Sequence, residues 1–229
     1  MKLVVLVLGL LPTALPAAAQ APANPRLKHE LDSIAAVDQR WRTLLFDPHG
    51  RHRSDSVAAA LGLAKEAVAP YLVRQMMRTD STNILRVRAI IGQYGYPGRS
   101  LVGTPTNEAA WYVIQHSGDI SRYLPLIKTA ARRQELPFRL YAQMLDRQLM
   151  RAGKSQLYGT QGMGYTTTNA ATGRREAQPL FIWPIKNAAG VNARRKQAGF
   201  DTTVEQNAAN LGIPYRVLTL PDVEKMPKN

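Results

Sequence analysis

PFRLYAQMLDRQLMRAG (residues 137–153) runs without a break into KSQLYGTQG (residues 154–162), and the change of pattern between them decides the fold expected of this 229-residue chain. In the first segment Pro137 opens a helix whose apolar face collects Phe138, Tyr141, Ala142, Leu145 and Leu149, and Gly153 terminates it. Asp146 falls at the edge of that face and Arg147 points away from it, as the halves of a surface ion pair would. In the second segment polar side chains stand among glycines with neither helical nor strand period, so residues 156–162 read as a site loop. Beyond it threonines, glycines and aromatics replace the leucine and alanine pattern. Residues 165–169 and 174–181, joined by 170–173, read as a short hairpin. The expectation is a mainly α, multi-helix domain with a small β-hairpin in the C-terminal third.

The helical period continues toward the N-terminus. Leu27, Leu31, Ile34, Trp41 and Leu45 share one face behind Pro25, and Asp38 occupies the missing step. A carboxylate there is costly to bury unless it is paired or hydrogen bonded, so Asp38 is either the partner of an arginine or a site residue. Asp55 or Ser56 caps a helix expected to reach Arg78 and to kink or divide at Pro70. Asp80-Ser81-Thr82-Asn83 opens another, closed by Gly95 and Pro97. Thr104-Pro105 starts a helix in which His116 shares a face with Ala109 and with Tyr112 or Val113. Asp119 caps a segment to Arg133 that Pro125 is expected to split. A short helix over 191–198 follows the hairpin, and a last one begins at Thr202 or Thr203 with a capping box and ends at Gly212.

Lys2, the apolar run 3–11, Pro12, Pro16 and Ala17-Ala18-Ala19 read as a secretory signal peptide over residues 1–19, so the protein is expected to be exported, periplasmic or secreted. No segment reaches the roughly 18 to 20 apolar residues of a transmembrane helix. Cysteine is absent, so no disulfide staples the fold. Residues 20–218 are expected to form a single helical domain and residues 219–229 a flexible tail. The net charge is +14, and without Lys2 there remain 29 basic against 16 acidic residues. Such a field attracts an anionic small molecule or an envelope polymer, although charges of this kind also simply solvate helix faces. Nucleic acid is the weakest partner, because no finger, RRM, KH or helix-turn-helix pattern accompanies the charge.

No P-loop, dinucleotide fingerprint, nucleophile elbow or HExxH helix is present. No cofactor is indicated and no metal is assigned; a structural zinc site has no thiolates to draw on, and Asp38, Asp119 and Asp146 are too scattered to specify a hard cation. The catalytic candidates are therefore His116, Asp119, Asp38 and Asp146. Imidazole is the side chain suited to moving protons near neutrality, and Asp119 or Asp38 could orient it. Gln39, Arg147, Gln156, Tyr158, Thr160 and Gln161 are the candidates for holding substrate.

Several of these residues carry a resemblance. Asp38-Gln39, Gly95-Tyr96-Pro97-Gly98 with Leu101-Val102-Gly103, Ile114-Gln115-His116, Tyr141-Ala142 through Asp146-Arg147, Gln156-Leu157-Tyr158-Gly159-Thr160-Gln161, and Pro184-Ile185 followed by Arg194-Arg195 and Gly199 are similar, in this order, to an uncharacterised bacterial family known as domain of unknown function 6624. The resemblance implies one coherent domain and brings no activity with it. Family members show His-Ala-Asp where this chain has His116-Ser117-Gly118-Asp119, and an acid where Asn187 stands.

Three readings stay open. In one, the polar set around His116 and the 156–162 loop is the site of a hydrolase or transferase acting on a polar or anionic substrate. In another, the protein is a non-catalytic basic binding module for anionic envelope polymers. In the third, the polar residues form a buried network that joins the helices to the hairpin.

Overall fold

Leu27, Leu31, Ile34 and Asp38 recur at three- and four-residue steps, and all four are buried on the inner face of helix α1 (Pro25–Leu45). The computed structural model describes residues 22–45, 50–168 and 172–226; the expected signal peptide and part of the hairpin turn lie outside them. The chain continues through α2 (Gly50–Leu61), α3 (Lys65–Tyr94), α4 (Arg99–Val102), a 3-10 turn (Thr106–Glu108), α5 (Ala109–His116), α6 (Ile120–Arg132) and α7 (Phe138–Arg151). Four short strands and helices α8 (Val191–Gln197), α9 (Val204–Asn210) and α10 (Leu220–Glu224) complete it. The protein is mainly α with a small antiparallel element near its C-terminal end, as the sequence implies.

The helix boundaries differ from expectation where prolines and polar runs stand as punctuation in the sequence. Residues 80–83 start no helix; they lie inside the 30-residue α3. The side chains that would cap a new helix are engaged otherwise. Ser81 Oγ and Thr82 Oγ1 donate back to the carbonyls of Met77 and Arg78, while Asp80 takes the guanidinium of Arg42. Pro70 and Pro125 likewise sit inside continuous helices. Each removes one ladder bond, to Glu66 and Ser121 respectively, and these residues are exposed, so water can serve the freed carbonyls. Asp55 and Ser56 lie within α2, which starts at Gly50.

Two further start signals behave differently from the sequence reading. Thr104 makes no cap bond; the segment into α5 begins as a 3-10 turn after a cis Thr104–Pro105 bond. Asp119 precedes α6 without capping it, because its carboxylate is turned to Arg88. Thr203, by contrast, forms the expected capping box with Gln206. Residues 219–229, expected as a flexible tail, contain α10, whose first turn is closed by a second capping box between Thr219 and Asp222.

The main core gathers Leu31, Val87, Ile90, Ile114, Ile127 and Leu140 from α1, α3, α5, α6 and α7. Trp111 Nε1 donates to the carbonyl of Leu140 at 2.9 Å, which fixes α5 against α7. Among the described residues no single helix is long and apolar enough to cross a membrane.

The expected hairpin is present as two short ladders. β2 (Thr166–Thr168) pairs antiparallel with β3 (Arg175–Ala177), and β1 (Gly162–Met163) with β4 (Phe181–Ile182). Ile182, Ala208 and Ile213 make a small core beneath β4. Gln156 then joins this edge through its backbone, donating to Pro184 and accepting from Lys186 at 2.9 Å each. The polar loop is therefore held between α7 and the strands.

Candidate functional site

Asp38 is fully buried, and its carboxylate collects donors from two helices. Gln39 Nε2 donates to Oδ2 at 2.7 Å, and Arg42 Nη1, one turn further along α1, lies 3.3 Å from Oδ1. His116, the last residue of α5, brings Nδ1 to 3.2 Å from Oδ2. Arg42 also reaches α3, where Nη2 contacts both oxygens of Asp80 at 2.8 Å. A carboxylate only accepts, so the Asp38 contact requires the proton of His116 to sit on Nδ1. In the neutral ring, His116 Nε2 then presents its lone pair. That atom has no protein partner among the described residues, and it is not sealed from solvent; the side chain is 17% exposed.

Asp38, Asp80 and His116 are also the one group among the described residues whose ligand atoms lie close enough together, within 4.8 Å, to hold a metal ion. Arg42 already supplies positive charge to both carboxylates. Asp119 and Asp146 do not belong to the group.

A second cluster forms around Asp146, which is not half of a surface ion pair. It is fully buried. Its oxygens accept from the backbone N–H groups of Leu157, Tyr158 and Thr160 at 2.7 to 3.1 Å and from the Thr160 hydroxyl at 3.0 Å. Burial pushes its carboxyl above the ordinary range against the pull of these hydrogen bonds. Gln156, equally buried, spends its amide on the loop and the strands: Nε2 donates to Gln161 O and Trp183 O, and Oε1 accepts from Gln161 N. Burial, with smaller contributions from Tyr141 and Asp146, raises the Tyr158 phenol. Its carbonyl accepts from Arg195, a guanidinium only 1% exposed that also binds Thr202 and lies over the Phe200 ring. Asp146, Gln156 and Thr160 thus shape the loop from inside and use their polar atoms to do so.

Arg147 links the two clusters. Nε donates to Gln161 Oε1 at 3.0 Å and Nη1 to the carbonyl of Gln115, the neighbour of His116, at 3.1 Å. Arg151 Nη1 reaches the carbonyl of Ser117 on the other side, at 3.4 Å. The end of α5 that carries the imidazole is therefore flanked by two guanidinium groups, a favourable place for cations because helix carbonyls are left unpaired there. Neither arginine has a carboxylate partner among the described residues. Burial first, and Arg151 second, makes the Arg147 guanidinium less basic than usual.

The sequence candidates thus divide. Asp38, Gln39 and His116 meet directly; Asp146, Gln156, Tyr158, Thr160 and Gln161 meet around the loop; Arg147 bridges them. Asp119 stands apart, 2.7 Å from Arg88, and of the two possible orienters it is Asp38 that reaches the imidazole. Arg42, Asp80, Gln115 and Arg195 were missed. Arg42 had a local signal, its place four residues after the buried carboxylate; Asp80 lies 38 residues from its partner and had none. Surface hollows of about 280 and 320 Å³ lie elsewhere, one lined by residues such as Arg26, Glu30 and Tyr94 and the other by Arg99, Asn107 and Phe138.

A family model described as Family of unknown function (DUF6624) matches residues 63–211. The matched span takes in His116, Arg147 and the whole polar loop, and it begins after Asp38, Gln39 and Arg42. No curated protein and no solved structure matches the chain.

Proposed function

The chain belongs to the DUF6624 family of unknown function, and we propose that it is an exported hydrolase or transferase in which His116 moves the proton and Asp38 holds it in position. The observation that carries the reading is the Asp38–His116 pair: a buried carboxylate on Nδ1 and an Nε2 without a partner among the described residues. That arrangement fixes the tautomer and orientation of a general base, which accepts a proton from water or a substrate hydroxyl and can return it to a leaving group. Asp38 stabilises the imidazolium formed on the way.

Arg147 and Arg151 support an anionic substrate. Both lie beside the residue pair Gln115 and Ser117 that brackets His116, and Arg147 Nη2 has no hydrogen-bond partner among the described residues. Gln161 steadies Arg147, and Asp146 steadies the loop that carries Gln161. Export rests on the apolar N-terminal run after Lys2 and the alanine triplet at 17–19.

The test is a substrate screen across carboxylic esters, phosphoesters and glycosides, comparing the wild-type protein with His116→Ala and His116→Gln variants of matched fold by circular dichroism. Turnover should fall about 100-fold or more in both variants, the usual contribution of a positioned acid–base group. Undiminished turnover in a folded His116→Ala protein removes the imidazole from the role. The net charge of +14 supports a second reading, retention of anionic envelope polymers without chemistry. It is favoured if no class turns over while a polyanion binds with an affinity that drops steeply as salt rises.

A further inference from the structure

Arg147 and Arg151 stand one turn apart on α7, so their side chains leave the same face of the helix. Like charges at that spacing destabilise a helix. Among the described residues no carboxylate offsets them: Asp119, two residues beyond Ser117, gives its carboxylate to Arg88 at 2.7 Å, and Asp146, next to Arg147, is enclosed by the loop. The two charges also feel each other, since Arg151 adds to burial in making the Arg147 guanidinium less basic.

Both nonetheless turn toward one place. Arg147 Nη1 donates to Gln115 O at 3.1 Å and Arg151 Nη1 to Ser117 O at 3.4 Å, on either side of His116 in the chain. Nη2 of both arginines and Nε of Arg151 are left without a hydrogen-bond partner among the described residues. The His116 side chain is 17% exposed and Arg151 is exposed, so this end of α5 is open to solvent. The carbonyls there cannot supply the missing charge, because a helix C-terminus carries only about half a negative charge against two full positive ones.

The shape and charge of the missing anion follow. A carboxylate offers two oxygens in one plane, which a single guanidinium satisfies. A phosphate monoester offers three terminal oxygens on a tetrahedron and a charge of about −2 near neutrality, which suits two guanidiniums arriving on separate stems. Resting on the reading of His116 as the base, we propose that the substrate of this site carries a phosphate monoester, held by Arg147 and Arg151 at the end of α5 next to the imidazole. Gln161 then keeps Arg147 in place through Nε, which gives the polar loop a part in binding.

Inorganic phosphate is the probe, titrated into the full chain by calorimetry and followed by NMR of the His116 ring nitrogens. Saturable, millimolar binding that shifts those signals is expected. It should weaken about tenfold in Arg151→Gln and in Arg147→Gln, the size of one hydrogen bond to a charged group. Arg151 is exposed, so Arg151→Gln decides alone should Arg147→Gln fail to fold. Arg99→Gln, at the opposite end of α7 beside Phe138, should bind phosphate as the wild type does. Methyl phosphate should bind like phosphate, whereas dimethyl phosphate and acetate, with one charge each, should bind about tenfold more weakly. Absence of saturable binding overturns the proposal, as do equal weakening by Arg99→Gln, equal binding of dimethyl phosphate, or unmoved His116 signals. Its failure is distinct from that of the base: turnover lost in His116→Ala without phosphate binding keeps the imidazole and removes the phosphate ester, and phosphate binding with turnover unchanged in His116→Ala does the reverse.

Discussion

Asp146 holds Thr160 twice with a single oxygen: Oδ2 accepts the Thr160 N–H at 3.1 Å and the Thr160 hydroxyl at 3.0 Å. The other oxygen takes Leu157 and shares Tyr158, so one side chain of α7 organises three residues of the loop. Asp146→Ala strands three backbone donors in a buried place and should cost about 3 kcal/mol or more. Asp146→Asn keeps the shape but turns an NH₂ group toward donors, and should still cost at least about 1.5 kcal/mol. Urea unfolding followed by circular dichroism measures both; an Asn variant as stable as wild type would mean that the carboxylate is dispensable to the loop.

Arg42 stands between two carboxylates, 3.3 Å from Asp38 and 2.8 Å from Asp80. Arg42→Met leaves the buried Asp38 and the half-buried Asp80 facing each other without compensation, and should destabilise by about 3 kcal/mol. Removing the second charge relieves part of that. The Arg42→Met/Asp80→Asn protein should therefore be more stable than the sum of the single changes by about 1 kcal/mol. Strict additivity in a double-mutant cycle would show that the three groups do not interact.

Helix ends divide into those set locally and those set by partners far along the chain. Thr203 with Gln206 was legible because a capping box is complete within four residues, and it is present with Gln206 N donating to Thr203 Oγ1. Thr104 offered the same kind of signal, but the chain there follows a 3-10 turn and the hydroxyl caps nothing. Thr203→Ala should accordingly cost about 1 kcal/mol. Thr104→Ala, at an exposed side chain, should stay within about 0.5 kcal/mol. Thermal unfolding of the two variants separates them, and equal losses would contradict the assignment of the α5 start.

The site was legible to the same extent. Asp38 and His116 each broke an apolar stripe, and that irregularity marked them as needing a partner; the partner is each other, across 78 residues. Asp146 looked like a surface residue because a helical wheel knows only its own helix, and the loop at 157–160 that covers it comes from outside that helix. Asp119 and Asp80 look like caps in the sequence because a polar residue before an apolar run is a good local signal. Both are instead claimed by arginines on other helices, Arg88 and Arg42. Periodicity carries the elements and their inward faces, whereas the choice among possible ion partners depends on which helices pack together.

Gly159 and Gly153 have nearly the same backbone, φ +67° and +66°, but opposite surroundings. A Cβ on Gly153 would meet nothing within 4 Å, while one on Gly159 would come 2.5 Å from Val204 Cγ2 and 2.8 Å from Ile185 Cδ1. Val204 is fully buried at the start of α9, and a β-branched side chain in a helix has little freedom to turn away. Gly153→Ala should thus cost only the left-handed strain, about 1 to 2 kcal/mol. Gly159→Ala adds overpacking of about 1 to 3 kcal/mol. The clash would also shift the backbone beside Thr160 away from Asp146 and loosen the Asn207 Nδ2 bond to the Gly159 carbonyl, now 3.0 Å. Amide hydrogen exchange at Thr160 should then rise in the Gly159 variant and stay unchanged in the Gly153 variant. Similar unfolding midpoints and similar exchange in the two proteins would show that α9 does not press on the loop as closely as these distances require.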